Sequence, residues 1–179
     1  MYYAGIGSRR TPREVLEVFR IIGRYLASIG YVLRSGRADG ADSAFELGAR
    51  DYHGSCEIYL PWPSFQANTW LGRNYPGIVL DSIEPAQREL AYKSVQQFHP
   101  APERLSQGAM KLQARDYCQI TGKSTKACKS EFVVCWTDRQ TGGTSQAIRV
   151  AQSFGIPVFN FYYAEDRNAF LRRFNGETN

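Results

Sequence analysis

Residues that bind metals or form disulfides are scarce in this sequence. Of 179 residues, two are histidine and four are cysteine. His53 and His99 lie far apart, and none of Cys56, Cys118, Cys128 and Cys135 forms a Cys-x-x-Cys pair. Structural zinc needs clustered ligands, and a secreted framework needs paired cysteines. No metal is therefore expected, and reduced thiols suggest a cytoplasmic chain. A long apolar run is also missing. A membrane span takes about 20 consecutive apolar residues, so no membrane partner is expected. The first residues pass directly into Tyr2-Tyr-Ala-Gly-Ile-Gly7 without a basic leader or cleavage site, which argues against a signal peptide. There is no internal repeat and no low-complexity stretch. The charge imbalance is small: 22 basic and 17 acidic residues give +5. That suits an anionic ligand without singling out nucleic acid.

What the chain does have is a steady alternation of apolar strands and amphipathic helices, on a length that suits one domain. Tyr2 to Ile6 reads as a strand. Thr11-Pro-Arg-Glu14 opens a helix, with Thr11 as cap, Pro12 at the first helical position and Glu14 at the capping-box position. Val15, Phe19, Ile22, Leu26 and Ile29 form its apolar face, and Gly30 ends it. A second strand starts at Tyr31. Asp39 is placed to cap the next helix, with Asp42 at the box position. Ala41, Ala44, Phe45, Gly48 and Ala49 give that helix a small-residue face. Cys56 to Leu60 reads as a third strand. From Trp62 to Ser82 the periodicity is lost, and Trp62, Phe65, Trp70 and Tyr75 sit in what reads as a long loop. Helices follow over residues 84–98 and 103–118, then a polar turn region to Lys129. A strand over residues 131–136, a helix over 144–154, a strand over 156–160 and a helix from Glu165 to Phe174 complete the chain, followed by a polar tail. This order predicts an α/β fold: a Rossmann-like, doubly wound, mainly parallel sheet with helices on both faces. One domain is expected over residues 1–179, with a loop-rich insert at about 61–83 and a helical insert at about 84–129.

Glycine turns close three of these strands: Gly5-Ile-Gly-Ser-Arg9, Ser35-Gly36 leading to Asp39-Gly40, and Thr141-Gly-Gly-Thr144. A strand that feeds a glycine turn and then a helix N-terminus builds an anion site. The first helical N–H groups lack partners, the helix dipole is positive there, and glycine admits a ligand to the main chain. The three turns predict one shared pocket for a phosphate-bearing ligand. Ser8, Arg9 and Thr144 would hold phosphate, Asp39 or Asp42 ribose, and a loop aromatic the base. Arg34 and Arg37 flank the middle turn and read equally well as ligand-holding or solvent-facing.

The common nucleotide fingerprints are incomplete. Arg10 stands where a dinucleotide motif has its third glycine, and no acidic residue ends the second strand. Thr121-Gly-Lys-Ser-Thr125 resembles the end of a phosphate loop, but Tyr117 replaces the required glycine and a helix precedes it. Ser8 lies in Gly-x-Gly-Ser, which is not a nucleophile elbow. Asp39, Asp42 and Glu46 are the carboxylates nearest the expected site. Two of them on one helix face suit glycosidic acid/base chemistry, while capping and exposure are the plainer reading.

Taken together, Gly5-Ile-Gly-Ser-Arg9 with Thr11-Pro12, Gly30 to Gly36, Ala38-Asp-Gly-Ala-Asp42, Trp136, Thr141-Gly-Gly-Thr144 and Gly155-Ile-Pro-Val158 resemble the SLOG superfamily. That group holds the DNA-processing DprA/Smf proteins, the LOG nucleotide phosphoribohydrolases and the YpsA-like proteins, some of them phage-encoded. The resemblance implies a Rossmann-like fold that binds a nucleotide or nucleotide-derived ligand, with no added cofactor. Ligand contacts are implied along Gly5, Gly7, Ser8 and Arg9, along Ser35, Gly36, Asp39 and Gly40, and along Trp136, Gly142, Gly143 and Thr144. It also implies a homodimer or higher homo-oligomer. LOG hydrolases place a catalytic glutamate three residues after the motif threonine. Here Ser145-Gln146-Ala147 follows, and the acid is missing. A glycosidase reading therefore needs Asp39, Asp42 or Glu46 as the acid, with Arg115 in the place of the family's helix arginine. A DprA-like reading implies single-stranded DNA as the partner.

Overall fold

The computed structural model describes residues 1–175, so the polar tail beyond them lies outside the described residues. Six parallel strands form one sheet: β1 (Tyr2–Gly5), β2 (Val32–Ser35), β3 (Cys56–Leu60), β4 (Ile78–Val79), β5 (Val133–Cys135) and β6 (Val158–Asn160). Their order is β4-β3-β2-β1-β5-β6. The chain therefore builds outward from β1 to one edge, returns, and builds outward from β1 to the other.

Helices cover both faces, as the alternating pattern requires. On one face lie α1 (Arg13–Ser28), α2 (Ala41–Asp51) and α7 (Ala164–Asn175). Phe19, Ile22 and Leu26 of α1 are buried there with Phe45 of α2 and Phe170 of α7. On the other lie α4 (Pro85–Phe98), α5 (Gln107–Thr121) and α6 (Gly143–Ser153), packed through Ala91, Val95, Ala114, Ala147 and Val150. Among the described residues no helix is long and apolar enough to cross a membrane.

Three local expectations are corrected. Thr11 does not cap α1: the N-cap is Pro12, without a side-chain bond. A residue before proline is held extended, and the Thr11 hydroxyl instead donates to the Ser8 carbonyl at 2.6 Å. Asp39 does not cap α2 either. Gly40 is the N-cap at φ +91°, and Asp39 is exposed. The stretch from Trp62 to Ser82 is not structureless: it holds the short helix α3 (Trp70–Asn74), capped by Thr69, and the edge strand β4. A single helical turn and a two-residue strand are too short to leave a period in the sequence.

The small-residue face of α2 meets α1 closely. A Cβ on Gly48 would lie 2.0 Å from the Arg20 carbonyl oxygen. Gly48→Ala is expected to destabilise the fold by about 2 kcal/mol or more, as overpacking against backbone does. Thermal unfolding should register this as a Tm drop of roughly 4–8 °C.

Candidate functional site

Strand order reverses between β1 and β5. In an open parallel sheet that reversal leaves a crevice at the strands' carboxyl ends. A cavity of about 410 Å³ occupies it. Its walls are the turn after β1, the loop after β5 with the start of α6, and one face of α5.

The β5–α6 loop is the most open wall. It is shaped by the Ser145 hydroxyl, which donates to the Arg139 carbonyl at 2.8 Å, and by Thr137, which bonds Arg139 main chain. Gly142 is the N-cap of α6 at φ +93°, a conformation that favours glycine, and no side chain caps this helix. Among the described residues the N–H groups of Gly143, Thr144 and Ser145 donate to no recorded acceptor. Gly142, Gly143 and Thr144 all line the cavity.

The β1 turn is more self-contained. Gly7 N–H donates to Asp42 Oδ1 at 3.0 Å, Ser8 N–H to the Trp136 carbonyl at 3.0 Å, and Arg10 N–H to the Ser8 hydroxyl at 3.1 Å. Gly7, Ser8 and Arg9 still line the cavity, with Arg9 exposed at its mouth. Arg10 and Arg139 stand beside it and share Asp138, at 3.6 and 3.9 Å.

Of the middle turn Ala38 lines the cavity, whereas Ser35, Gly36, Asp39 and Gly40 do not. Ser35 is fully buried, and its hydroxyl donates to the Gly5 carbonyl at 2.6 Å. Gly36 is covered by Arg115: a Cβ there would lie 0.9 Å from a guanidinium nitrogen. With its amide oxygen turned inward, Gln119 accepts from Gly36 N–H at 2.9 Å and from Arg115 at 2.8 Å. The protein's own cation fills the space expected for a ligand: Gly36 leaves room for Arg115, and Ser35 fastens the turn to β1.

Other candidates move for equally local reasons. Gly5 is a core residue whose missing side chain admits Phe45 and Leu33. Gly40 abuts the Ser8 carbonyl, and the Trp136 ring packs edge-on against Tyr162 at 5.8 Å. Neither lines the cavity. Glu46 is fully buried and grips Arg37 with both oxygens, at 2.6 and 2.9 Å. Arg37 in turn is buried, at φ +54°. Asp39 and Glu46 are thus remote from the cavity, whereas Asp42 and Arg115 line it. Of the aromatics expected to cover a base, Phe65 is buried behind Arg115 and Tyr75 stacks on Arg50 at 4.2 Å. Arg34 is buried against Glu57 and the Tyr2 ring.

Asp116 is the residue the sequence did not disclose. It is 4% exposed, lines the cavity, and its Oδ2 has no hydrogen-bond partner. Burial pushes its carboxyl up to about 8, with Asp42 adding in the same direction and Arg115 opposing. Burial also raises Asp42, against the pull of Arg115 and of the Ala38 and Gly7 N–H groups. The clue was a polar stripe, Gln113, Asp116 and Gln119, at every third position of a helix whose neighbouring residues Ala114, Tyr117 and Cys118 are core. Among the described residues no three His, Cys, Asp or Glu side chains gather as a metal would need.

A scan against protein-family models finds no match, and a search of curated proteins finds no relative. Among solved structures the chain is similar to DNA processing protein A from Helicobacter pylori, described for its single-stranded DNA binding mode. The TM-score is 0.55 at 19% identity, over 97% of this chain and 72% of that one. It is also similar to the Moco carrier protein of Chlamydomonas rheinhardtii, with a TM-score of 0.51 at 16% identity, over 98% of this chain and 84% of that one. At such identities the likeness shows a shared Rossmann-like fold.

Two outcomes follow for these carboxylates. Glu46→Ala leaves Arg37 buried without its counter-charge and is expected to cost about 3–5 kcal/mol, while Asp39→Ala stays within about 0.5 kcal/mol; denaturant unfolding compares them. Asp116 binds its proton more tightly folded than unfolded, where its pKa is about 4. Its contribution is therefore fully present below pH ~4 and is lost as pH rises through about 8. The wild-type Tm should fall between pH 5 and 8.5 more steeply than that of Asp116→Asn. Parallel curves would place Asp116 in an ordinary ionised state.

Proposed function

We propose that the protein binds a nucleotide or nucleotide-derived ligand through its phosphate, in the cavity between β1 and β5, as a SLOG-type domain. One observation carries this reading: an uncapped helix start, with first-turn N–H groups unpaired, lies at the strand-order switch point and lines a cavity large enough for a small ligand. Arg9, Arg10 and Arg139 add positive charge at the mouth. The phosphate sits on Gly143 and Thr144 N–H, with the Thr144 and Ser8 hydroxyls and Arg9 completing its contacts. The middle turn takes no part. Among the described residues no aromatic ring lines the cavity, so the remainder of the ligand meets the side chains of α5.

A second reading, cleavage of a nucleotide's N-glycosidic bond, is favoured by Asp116, whose raised pKa keeps a proton available near neutrality. In that reading Asp116 from α5 supplies the acid, and Asp39 and Glu46 do not. Single-stranded DNA, the partner named for one structural neighbour, would engage the same arginines from outside.

Titration calorimetry with nucleoside monophosphates and short oligonucleotides separates these readings. Thr144→Ala is expected to weaken mononucleotide binding about fivefold and Arg9→Ala about tenfold, the usual cost of one neutral and one charged hydrogen bond. Absence of any mononucleotide binding would defeat the proposal. Binding confined to oligonucleotides and falling steeply with salt would install the DNA reading instead. Free base released on long incubation, and lost in Asp116→Asn, would establish the hydrolytic one.

A further inference from the structure

Helix α1 carries two apolar faces, and the core uses one. Phe19, Ile22 and Leu26 are buried. Val18, Ile21 and Tyr25 lie about 100° round the helix axis from them and are 42%, 68% and 41% exposed. A single exposed apolar residue is ordinary, but three along one helix face form a patch. Their spacing of three and four is that of a seam made for another helix. Glu14 precedes them in the same rhythm and is exposed. Among the described residues nothing covers the seam. Tyr25 meets Phe174 of α7 edge-on, with ring centroids 6.0 Å apart, yet stays exposed. The residues beyond the described ones, Gly176-Glu-Thr-Asn179, bring no large apolar side chain to it.

We propose that α1 pairs with α1 of a second copy of this chain, antiparallel about a two-fold axis between Val18 and Ile21. The charges beside the seam argue for self-pairing in this direction. Glu14 and Glu17 flank its first half, and Arg24 is the only charged residue over 21–28. Arg20 turns aside to Asp51 of α2, at 2.7 Å. Glu17 meets Arg13 at 3.4 Å with both side chains largely exposed, a contact worth little. Run antiparallel, the copies bring Val18 onto the partner's Ile21, Tyr25 beside the partner's Glu14 and Glu17 beside the partner's Arg24. Run parallel, Glu17 and Arg24 would each face its own counterpart, which is repulsive. A two-fold contact uses the same patch on both copies and closes at the dimer. The contact is small: α1 is about 24 Å long, and one helix pair buries less than the roughly 1,200 Å² at which standard interfaces begin. A weak dimer follows, with a Kd of about 10–100 μM.

The test is sedimentation of the full chain from about 1 to 300 μM, a range that brackets this affinity, with a reductant present because Cys128 is exposed. The wild-type mass is expected to climb from 20.3 kDa towards twice that value. Ile21→Glu puts a carboxylate at the apolar centre of both copies and should hold the chain monomeric throughout. Its Tm at low concentration should match the wild type, since the position is exposed. Glu17→Arg and Arg24→Glu should each weaken the dimer about fivefold, through two equivalent charge pairs, and the double variant should restore it. A wild type that stays monomeric overturns the proposal and leaves the seam to another occupant. A dimer that survives Ile21→Glu overturns it too, because association then uses another face. Dimerisation lost in Ile21→Glu but not recovered in the double variant overturns the antiparallel register, and a mass that climbs past the dimer overturns the two-fold contact. Mononucleotide binding is a separate readout, since no seam residue lines the cavity.

Discussion

One buried carboxylate organises this end of the molecule. Asp42 accepts from the N–H of Gly7, 35 residues away, and from Ala38 in its own approach to α2, and lies 3.5 Å from Arg115 of α5. Burial of such a group is costly unless charge and hydrogen bonds answer it; two N–H groups and a guanidinium do so here. The result ties the β1 turn to α2 and draws Arg115 over Gly36. Two of the three glycine turns thereby spend N–H groups on protein partners. At the start of α6 the N–H groups of Gly143, Thr144 and Ser145 have no acceptor among the described residues.

The layered fold was legible because it rests on periods. Phe19, Ile22 and Leu26 of α1 are buried as their helical spacing demands, Gly48 of α2 lets that helix approach α1, and the strand–helix alternation leaves little choice beyond a parallel sheet. Strand order is set by long-range packing, so the position of the crevice between β1 and β5 was not readable from local pattern. The turns themselves were visible as glycines, but a glycine that admits a ligand and one that admits Arg115, Phe45 or Leu33 are identical in sequence. Gly36 and Gly5 belong to the second kind, and Gly143, which lines the cavity, leaves room for Asp116 Oδ2.

The same ambiguity governs the charged residues. Glu46 and Asp116 are both buried acids on helices, Asp116 lining the crevice and Glu46 outside it. Glu46 is answered by Arg37, with Arg50 at 3.8 Å and Tyr75 stacked on that arginine. This network holds Arg37 in its left-handed conformation and occupies an aromatic residue once assigned to a base. Asp116 has only a neighbouring guanidinium at 3.3 Å for one oxygen and nothing for the other. Glu46 has partners for both oxygens supplied by the fold, and one oxygen of Asp116 lacks any. That distinction exists only in three dimensions.

The position of Asp116 also bears on the absence of an acid in the first turns of α6. Ala147, three residues past Thr144, is fully buried on the core face of that helix. No carboxylate can reach the cavity from there, yet a carboxyl group enters it from the opposite wall. Its surroundings give it a different character from a solvated glutamate. Burial pushes its carboxyl up to about 8, so it holds a proton to higher pH than a solvated glutamate does. Hydroxyl donors would favour the carboxylate, and a developing negative charge would favour the acid. The groups brought beside it therefore decide whether it holds or releases its proton.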